Sequence, residues 1–413
     1  RVRNNPDQDN VTTAEQNALA DFTKTREEYT YQSTVTASKA EKLDYQFISK
    51  LPHITSSTTY LSTYTFNDTM SKGMTYNKDA VIAVYDSKDA ADTTNVNNVD
   101  KSGAIAVWKS TDNDPNFAVT YGTSGDDSTM QVAMTKKGLN EINKKYSDKY
   151  IVVYYTANVN TDDSVTLGDK GNPNDVSLTW KRTSTDYYDI LKDECIIYSF
   201  GYDLTKKFSD DKGDATKVKF VIQNKSDNYY LVATGSNGVY QITGKSATEE
   251  GATQFSPSAA GKLVINGIEA DKYGFTETHS DAGYSLLKKE IIVNITSTKA
   301  AITPTQANIT GIQSKADTDS TANDGVVNGT ALKNDVTVQT TAASATVDET
   351  KATMTKHGES NNAYVNMEVT NQKQFLLPMT GGAGSYALII AGVVIAGCGF
   401  MIVKKNQKRK EIQ

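Results

Sequence analysis

Polar and apolar residues alternate along several short stretches of the chain. Three of these stretches, at 29–37, 60–68 and 150–159, carry apolar or aromatic side chains at about every second position. A period of two is typical of a β-strand that buries one face. Segments rich in Asn, Asp, Ser and Gly separate the stretches, as turns between strands do. The pattern therefore predicts an all-β protein made of short strands.

One segment departs from this period and predicts a short helix. In residues 135–146, Leu139 and Ile142 lie three positions apart, so a helix places them on the same face. Elsewhere the regular spacing of strands and polar turns favours tandem immunoglobulin-like β-sandwiches. The composition agrees, because the 413 residues include 23 Tyr and aromatic residues are enriched in strands.

The length of the chain predicts two folded domains. We place an N-terminal β-sandwich at 1–185 and a second at 195–375, with a polar connector over 181–194. Residues 296–350 are rich in Thr, Ala, Asn and Asp, which predicts a long insertion loop in the second domain with one strand at 335–341.

A different kind of segment, 377–413, ends the chain. Residues 382–403 carry no charge, and at about 1.5 Å per helical residue they are long enough to cross a bilayer core as a transmembrane helix. A basic stub follows, which predicts that the preceding residues lie outside the cell. Because the sequence starts at Arg1 rather than Met, we expect a secretion signal to have been removed or to lie upstream.

A short motif stands immediately before the apolar run. Its residues are Leu377, Pro378, Met379, Thr380 and Gly381. Motif, span and stub in this order resemble the LPxTG sorting signal of Gram-positive surface proteins. The resemblance implies that a sortase cuts between Thr380 and Gly381, and then joins Thr380 to peptidoglycan or to a neighbouring subunit. The membrane would hold the chain only until sorting, and the mature protein would belong to the cell wall.

The remaining composition argues against nucleic acids, metals and turnover chemistry. The formal net charge is −6 and neither sign forms a long block outside the stub, which disfavours a nucleic-acid partner. None of the three His residues has a metal-ligand spacing, so we expect no metal and no cofactor. Cys195 follows two acidic residues, which disfavour a reactive thiolate. We expect no enzyme activity beyond an autocatalytic step within the chain.

The basis for that autocatalytic step is the segment 272–287, KYGFTETHSDAGYSLL. It resembles the E-box of Cna-B-type domains in Gram-positive pilins, and 198–207 resembles the first strand of such domains. The matching positions are Tyr273, Phe275, Glu277, Thr278, Gly283 and Tyr284, whereas Ser280 and Asp281 replace an Ala-Pro pair. In that family a Lys and an Asn join their side chains in an isopeptide bond, assisted by the E-box Glu.

Strand alternation selects the residues for this bond. Lys206 ends an apolar face that starts at Tyr198, and Asn371 ends another that starts at Ala363. Glu277 shares a face with two aromatic residues and is predicted to be the catalyst. Asn294 is a rival amide, but it lies opposite an apolar face and ranks second. Burial is expected to lower the pKa of the lysine, which frees its lone pair for attack.

A second, N-terminal site rests on a further resemblance. The segments 63–77 and 171–180 resemble the preceding domain of shaft pilins, and in each an apolar face ends in a polar side chain, Asp68 and Asn174. A second isopeptide bond needs such a pair. Exposed residues at strand ends would give the same pattern, and that alternative stays open. The lysine partner is expected upstream of Arg1.

These observations predict a sortase-processed pilus (fimbrial) shaft subunit whose partners are sortase and neighbouring pilin subunits. The alternative is a wall-anchored adhesin that binds a host or environmental ligand without polymerising. Both would carry the same anchor and the same β-sandwiches.

Overall fold

The computed structural model describes residues 1–374 with internal gaps. The gaps are 6–30, 33, 55–56, 92–100, 102, 123–127, 169, 184–186, 288, 299–314, 317–323, 327–334, 340–345, 348–349 and 357–362. The sorting signal and the predicted span, in 375–413, lie outside the described residues. Among those described, no helix combines the length and apolar character needed to cross a membrane.

The described residues of the first part of the chain form strands and two short helices. In chain order they are β1 (Val2–Asn4), β2 (Thr34–Thr36), β3 (Lys42–Lys50), β4 (Leu61–Met70), β5 (Met74–Tyr76), β6 (Val81–Tyr85), α1 (Lys88–Ala91), β7 (Ala106–Lys109), β8 (Phe117–Tyr121), β9 (Thr129–Met134), α2 (Lys136–Lys145), β10 (Tyr150–Val159), β11 (Asn172–Arg182) and β12 (Tyr187–Tyr198). The predicted strands at 60–68 and 150–159 are confirmed as β4 and β10.

Two sheets share the first hydrophobic core. One has the strand order β1-β3-β10-β6-β7 with β5 beside β10, and the other has the order β2-β12-β11-β4-β9-β8. Aromatic side chains from both sheets meet in the core, where the Phe47 and Phe66 rings stack with their centroids 5.8 Å apart. Alternation along each strand explains this, because residues two apart point to the same side.

The predicted helix at 135–146 is confirmed as α2. Thr135 is its N-cap, and its hydroxyl accepts a hydrogen bond from the Gly138 N–H at 3.2 Å. Ile142 is buried and Leu139 packs partly buried against the first core. The face that periodicity selected is therefore the face that the helix buries.

The second part of the chain forms one large sheet around a second core. Its strands are β13 (Phe200–Phe208), β14 (Lys219–Asn224), β15 (Tyr229–Ser236), β16 (Val239–Ser246), β17 (Lys262–Ile268), β18 (Lys272–His279), β19 (Ile291–Thr298), β20 (Lys315–Ala316), β21 (Asp324–Val326), β22 (Asp335–Gln339), β23 (Thr346–Val347), β24 (Thr350–Lys356) and β25 (Tyr364–Asn371). The order is β22-β19-β18-β14-β15-β16-β17-β13-β25-β24-β23, whereas β20 and β21 pair with β12. Single 3₁₀ turns lie at Ala215–Lys217 and Glu249–Gly251.

Most of the segment 181–194, predicted as a connector, lies in strands instead, since β11 ends at Arg182 and β12 begins at Tyr187. Strand β12 pairs antiparallel with β11 from Ile197 to Tyr188. Only Ser199 separates β12 from β13, so one nearly continuous strand leads from the first core to the second. The polar composition misled the prediction because backbone groups, not side chains, make the bonds of a β-ladder.

The insertion at 296–350 contains the predicted strand, since β22 lies within 335–341 and pairs with β19. Three shorter strands, β20, β21 and β23, were not predicted. They contain only two or three residues each, which is too short for a periodic pattern to be recognised.

Candidate functional site

The site lies where the first and last long strands of the second core run side by side. Strands β13 and β25 pair in parallel, with Lys206 opposite Val369 and Phe208 opposite Asn371. The predicted alternation is confirmed on both strands. The buried residues are Phe200, Tyr202, Leu204 and Lys206 on β13, and Val365, Met367, Val369 and Asn371 on β25.

Three polar side chains meet at this end of the core. The Lys206 Nζ donates to Asn371 Oδ1 and lies 3.2 Å from Glu277 Oε1. The Asn371 Nδ2 donates to both Glu277 oxygens, at 2.9 and 3.0 Å. The side chains of Lys206 and Glu277 are both 0% exposed. The three residues selected from the sequence are therefore brought together, with the carboxylate of Glu277 in contact with both other groups.

The loop after β18 covers this cluster. Ser280 Oγ accepts from Asn371 Nδ2 at 2.7 Å, and the Leu287 N–H donates to Glu277 Oε2 at 2.9 Å. The Tyr284 ring packs on Phe208, with their centroids 4.5 Å apart. Ser280 was treated in the sequence as a departure in the turn, and no pattern marked its hydroxyl as part of the site.

A glycine allows the neighbouring chain to approach Lys206 closely. Gly261 has a φ of +79°, and a Cβ at this position would come within 2.4 Å of the Lys206 carbonyl oxygen. Its carbonyl accepts a hydrogen bond from the Lys206 N–H at 2.7 Å. Glycine tolerates both the positive φ and the contact, so Gly261 helps to fix the strand that carries the lysine.

The electrostatics of the cluster favour a reactive amine. Burial lowers the pKa of Lys206 to about 8, although the nearby Glu277 carboxylate acts in the opposite direction. The expected lowering is therefore confirmed. Near neutral pH a useful fraction of this amine is unprotonated, and only the neutral form can attack a carbonyl carbon.

The N-terminal candidates also meet in the first core. Asn174 Nδ2 donates to Asp68 Oδ1 at 3.0 Å, and the hydroxyls of Tyr76 and Tyr155 donate to Asp68 Oδ2 at 2.7 and 2.9 Å. Asp68 and Asn174 are almost fully buried, so the alternative of exposed strand-end residues is wrong. Among the described residues, the hydrogen bonds to Asp68 come from these three side chains and none comes from a lysine.

Burial dominates the chemistry of this second cluster. It raises the pKa of Asp68 to about 7, although its three hydrogen bonds oppose the shift. It also raises the pKa of the Cys195 thiol to about 12. Cys195 is 3% exposed, which agrees with the prediction of an unreactive thiol.

The structure describes no side-chain contact between the Lys206–Glu277–Asn371 cluster and either the rival amide Asn294 or the sorting signal. The side chain of Asn294, the rival amide, lies outside the described residues, although its backbone pairs with Lys272 in the sheet. The sorting residues Leu377 to Gly381 follow β25 closely in sequence but also lie outside the described residues.

Comparison with known proteins identifies the C-terminal segment and the fold. Residues 369–411 match the family described as "LPXTG cell wall anchor motif". The structure matches that of the group B streptococcus pilus 2b backbone protein with a TM-score of 0.51 and 16% sequence identity, covering 84% of this chain and 98% of that chain. The anchor motif makes this a cell-wall-anchored surface protein of Gram-positive type, and its fold is that of a pilus backbone protein.

Further solved structures share lower similarity. Domains D2 and D3 of the major pilin SpaD from Corynebacterium diphtheriae match with a TM-score of 0.45 and 13% identity, covering 82% of this chain and 96% of that one. The 35 kDa C-terminal fragment of the major pilin GBS80 of Streptococcus agalactiae matches with a TM-score of 0.45 and 14% identity, covering 63% and 86%. No significant match exists among curated proteins.

Proposed function

We propose that this chain is a shaft subunit of a sortase-assembled pilus. In this function a sortase cuts after Thr380, and the new acyl group is passed to an amine of the next subunit or to peptidoglycan. The proposal is supported by the combination of an LPXTG anchor motif with a pilus-backbone fold. The observation that carries it is the buried Lys206–Glu277–Asn371 cluster. Lys206 and Asn371 lie on β13 and β25, the first and last long strands of the second core. A bond between these two strands would reinforce a pilus subunit under tension.

We further propose that this cluster forms an intramolecular isopeptide bond. The neutral Lys206 Nζ attacks Asn371 Cγ, a C–N bond forms, and the bond from Cγ to Nδ2 breaks. Glu277 contacts both nitrogens, so it can accept the proton from the attacking amine and deliver it to the leaving one. Ammonia is the leaving group, and no oxidant or cofactor is required.

The contacts support this order of proton transfer. The Glu277 carboxylate lies against the amide nitrogen that leaves, while the lysine lies on the side of the carbonyl oxygen. Ser280 and the Leu287 N–H hold the amide and the carboxylate in place. Fixed proximity of this kind replaces a bimolecular encounter and supplies much of the rate.

Polymerisation is tested by the size of the protein released from the cell wall. Enzymatic wall digests of cells that carry the natural protein are expected to show a ladder of high-mass bands that resists boiling in SDS. Covalent links between subunits survive denaturation, whereas non-covalent assemblies do not. An immunoblot against the first domain measures this.

Thr380→Ala is the matched variant, because it removes the acyl donor without changing any described residue. It is expected to abolish the ladder and to leave the protein in the membrane fraction. A single wall-linked band from the natural protein would instead identify a non-polymerising adhesin. Wall-linked Thr380→Ala protein would overturn the role of Thr380.

A further inference from the structure

A second group of Lys, Glu and Asn side chains lies at the junction between the two cores. Glu41 precedes β3 in the first part of the chain, and Lys245 lies on β16 in the second part. The Lys245 Nζ is 2.7 Å from Glu41 Oε1, and Asn4 Nδ2 donates to Glu41 Oε2 at 3.0 Å. As at Lys206, one carboxylate therefore contacts both a lysine amine and the amide nitrogen of an asparagine.

Two members of this group, Glu41 and Asn4, are as buried as the first site, whereas the lysine is partly exposed. Glu41 and Asn4 are 2% and 1% exposed, and the Lys245 side chain is 21% exposed. The carbonyl oxygen Oδ1 of Asn4 is buried and receives no hydrogen bond from the part of the chain that the structure describes. An unsatisfied buried acceptor is destabilising, and such a group in a native structure requires an explanation. A lysine brought onto this carbonyl would satisfy it.

The surrounding backbone holds Glu41 firmly against the second core. The Glu269 N–H donates to Ser38 Oγ at 3.0 Å, the Ala270 N–H donates to Thr36 Oγ1 at 3.2 Å, and the Lys39 N–H donates to the Gly267 carbonyl at 3.0 Å. These bonds fix the segment 36–41 on the end of β17. The carboxylate is thus preorganised beside Lys245 rather than carried there by a mobile loop.

We propose that Lys245 and Asn4 form an isopeptide bond between the two cores, with Glu41 as the proton-transferring residue. The reaction has the same balance as at Lys206. The neutral Lys245 Nζ attacks Asn4 Cγ and gives one proton to Glu41, the bond from Cγ to Nδ2 breaks, and Glu41 delivers the proton to Nδ2, which leaves as ammonia. It relies on the chemistry proposed for Lys206 but not on that bond having formed.

Glu269 and Tyr229 lie beside the Lys245 amine and affect its reaction with Asn4. Glu269 Oε1 lies 3.8 Å from the Lys245 Nζ and accepts a hydrogen bond from the Tyr229 hydroxyl at 2.6 Å. The Tyr229 ring lies 4.2 Å from the same amine. Reaction needs the nitrogen within about 3.5 Å of Asn4 Cγ, so the proposal requires the Lys245 side chain to rotate from its contact with Glu41 toward Asn4. Burial raises the pKa of Glu269 well above its usual value, so this carboxyl can hold a proton and leave Glu41 as the base.

Tryptic mapping of the full chain tests the bond directly. Trypsin cuts after Lys and Arg, so Asn4 falls in peptide 4–24 and Lys245 in peptide 226–262, provided that the bond blocks cleavage at Lys245. The expected product is these two peptides joined, with a mass lower than the sum of their two calculated masses by one ammonia. Recovery of peptide 4–24 by itself, together with peptides 226–245 and 246–262 from cleavage after Lys245, would overturn the proposal. A succinimide at Asn4 loses the same mass but leaves the peptides separate, so it also counts against the bond.

Lys245→Arg is the matched variant. Arginine keeps the positive charge beside Glu41 but forms no amide bond, so the joined peptide is expected to disappear completely. The same digest reports on Lys206 and Asn371 through peptides 193–207 and 357–373. If these are joined while 4–24 and 226–262 are not, only the junction bond is disproved. If neither pair is joined, the isopeptide chemistry of the proposed function fails as well.

Discussion

Glu277→Ala is expected to abolish the Lys206–Asn371 bond and to lower the free energy of unfolding of the second domain by about 5 kcal/mol. The two residues are 165 positions apart, and chain-entropy arguments for a crosslink that closes a loop of this length give about 5 kcal/mol. For a domain of this size the loss corresponds to a fall of about 10–20 °C in Tm. The shortfall of the measured mass from the mass calculated for the sequence should also be one ammonia smaller in this variant than in the natural chain.

Calorimetry and intact-mass measurement of the full chain check both parts. Lys206→Arg should show the same reduction in this shortfall, because arginine keeps the charge but does not form the amide. Glu368→Ala is the control, since Glu368 lies on β25 in an exposed ion pair with Lys207 at 2.7 Å, and such pairs contribute about 0–1 kcal/mol. A natural chain at its full calculated mass would refute the Lys206–Asn371 bond. A crosslinked chain that is no more stable than Glu277→Ala would refute its stabilising role.

Asp68→Asn is expected to remove most of a pH dependence of stability in the first domain. The pKa of Asp68 is about 7 in the folded chain, against 3.8 for the exposed group. The folded state therefore binds this proton more tightly than the unfolded state does. Protonation of Asp68 therefore stabilises the folded domain fully below about pH 4. This stabilisation is lost as the pH rises to about 7, and the free energy of unfolding falls by about 4 kcal/mol at most. The natural domain should thus be more stable at pH 5 than at pH 8.

Tryptophan fluorescence isolates the domain that contains Asp68. The two Trp residues of the chain, Trp108 and Trp180, both pack against the first core. Urea unfolding at pH 5 and pH 8 gives the change in free energy for each protein. Asp114→Asn is the control, because Asp114 is exposed. Equal pH dependence in Asp68→Asn and in the natural chain would contradict the assignment of the shift to Asp68.

Strand faces and the polar residues that end them were predictable from local sequence. Alternation alone placed Lys206 and Asn371 at the ends of apolar faces, where burial without a partner would be costly. The parallel pairing of β13 with β25 was not predictable, because it joins residues more than 150 positions apart and depends on the whole sheet. Ser280 was missed for a related reason, since its contact with Asn371 depends on how the loop folds over the site.

The junction between the cores was the least predictable region. Asn4, Glu41 and Lys245 come from three distant parts of the chain, and none of them ends a recognisable apolar face. The polar segment 181–194 suggested a connector, whereas residues 187–194 lie in β12, which continues to within one residue of β13. Composition reports the solvent exposure of side chains, but it does not report which backbone groups are paired.

The parallel pairing of β13 and β25 determines how the second domain responds to force. A pull applied through Ser199 and through the residues after Asn371 acts on opposite ends of two parallel strands, so it loads their hydrogen bonds in shear. All bonds between Gly201–Phe208 and Tyr364–Asn371 must then fail together, whereas a perpendicular pull would unzip them one at a time. With Lys206 joined to Asn371, the load passes from β25 directly into β13, and residues 207–370 carry none of it. The domain would then lengthen by only the few residues between Ser199 and Lys206 before the covalent backbone itself is stretched.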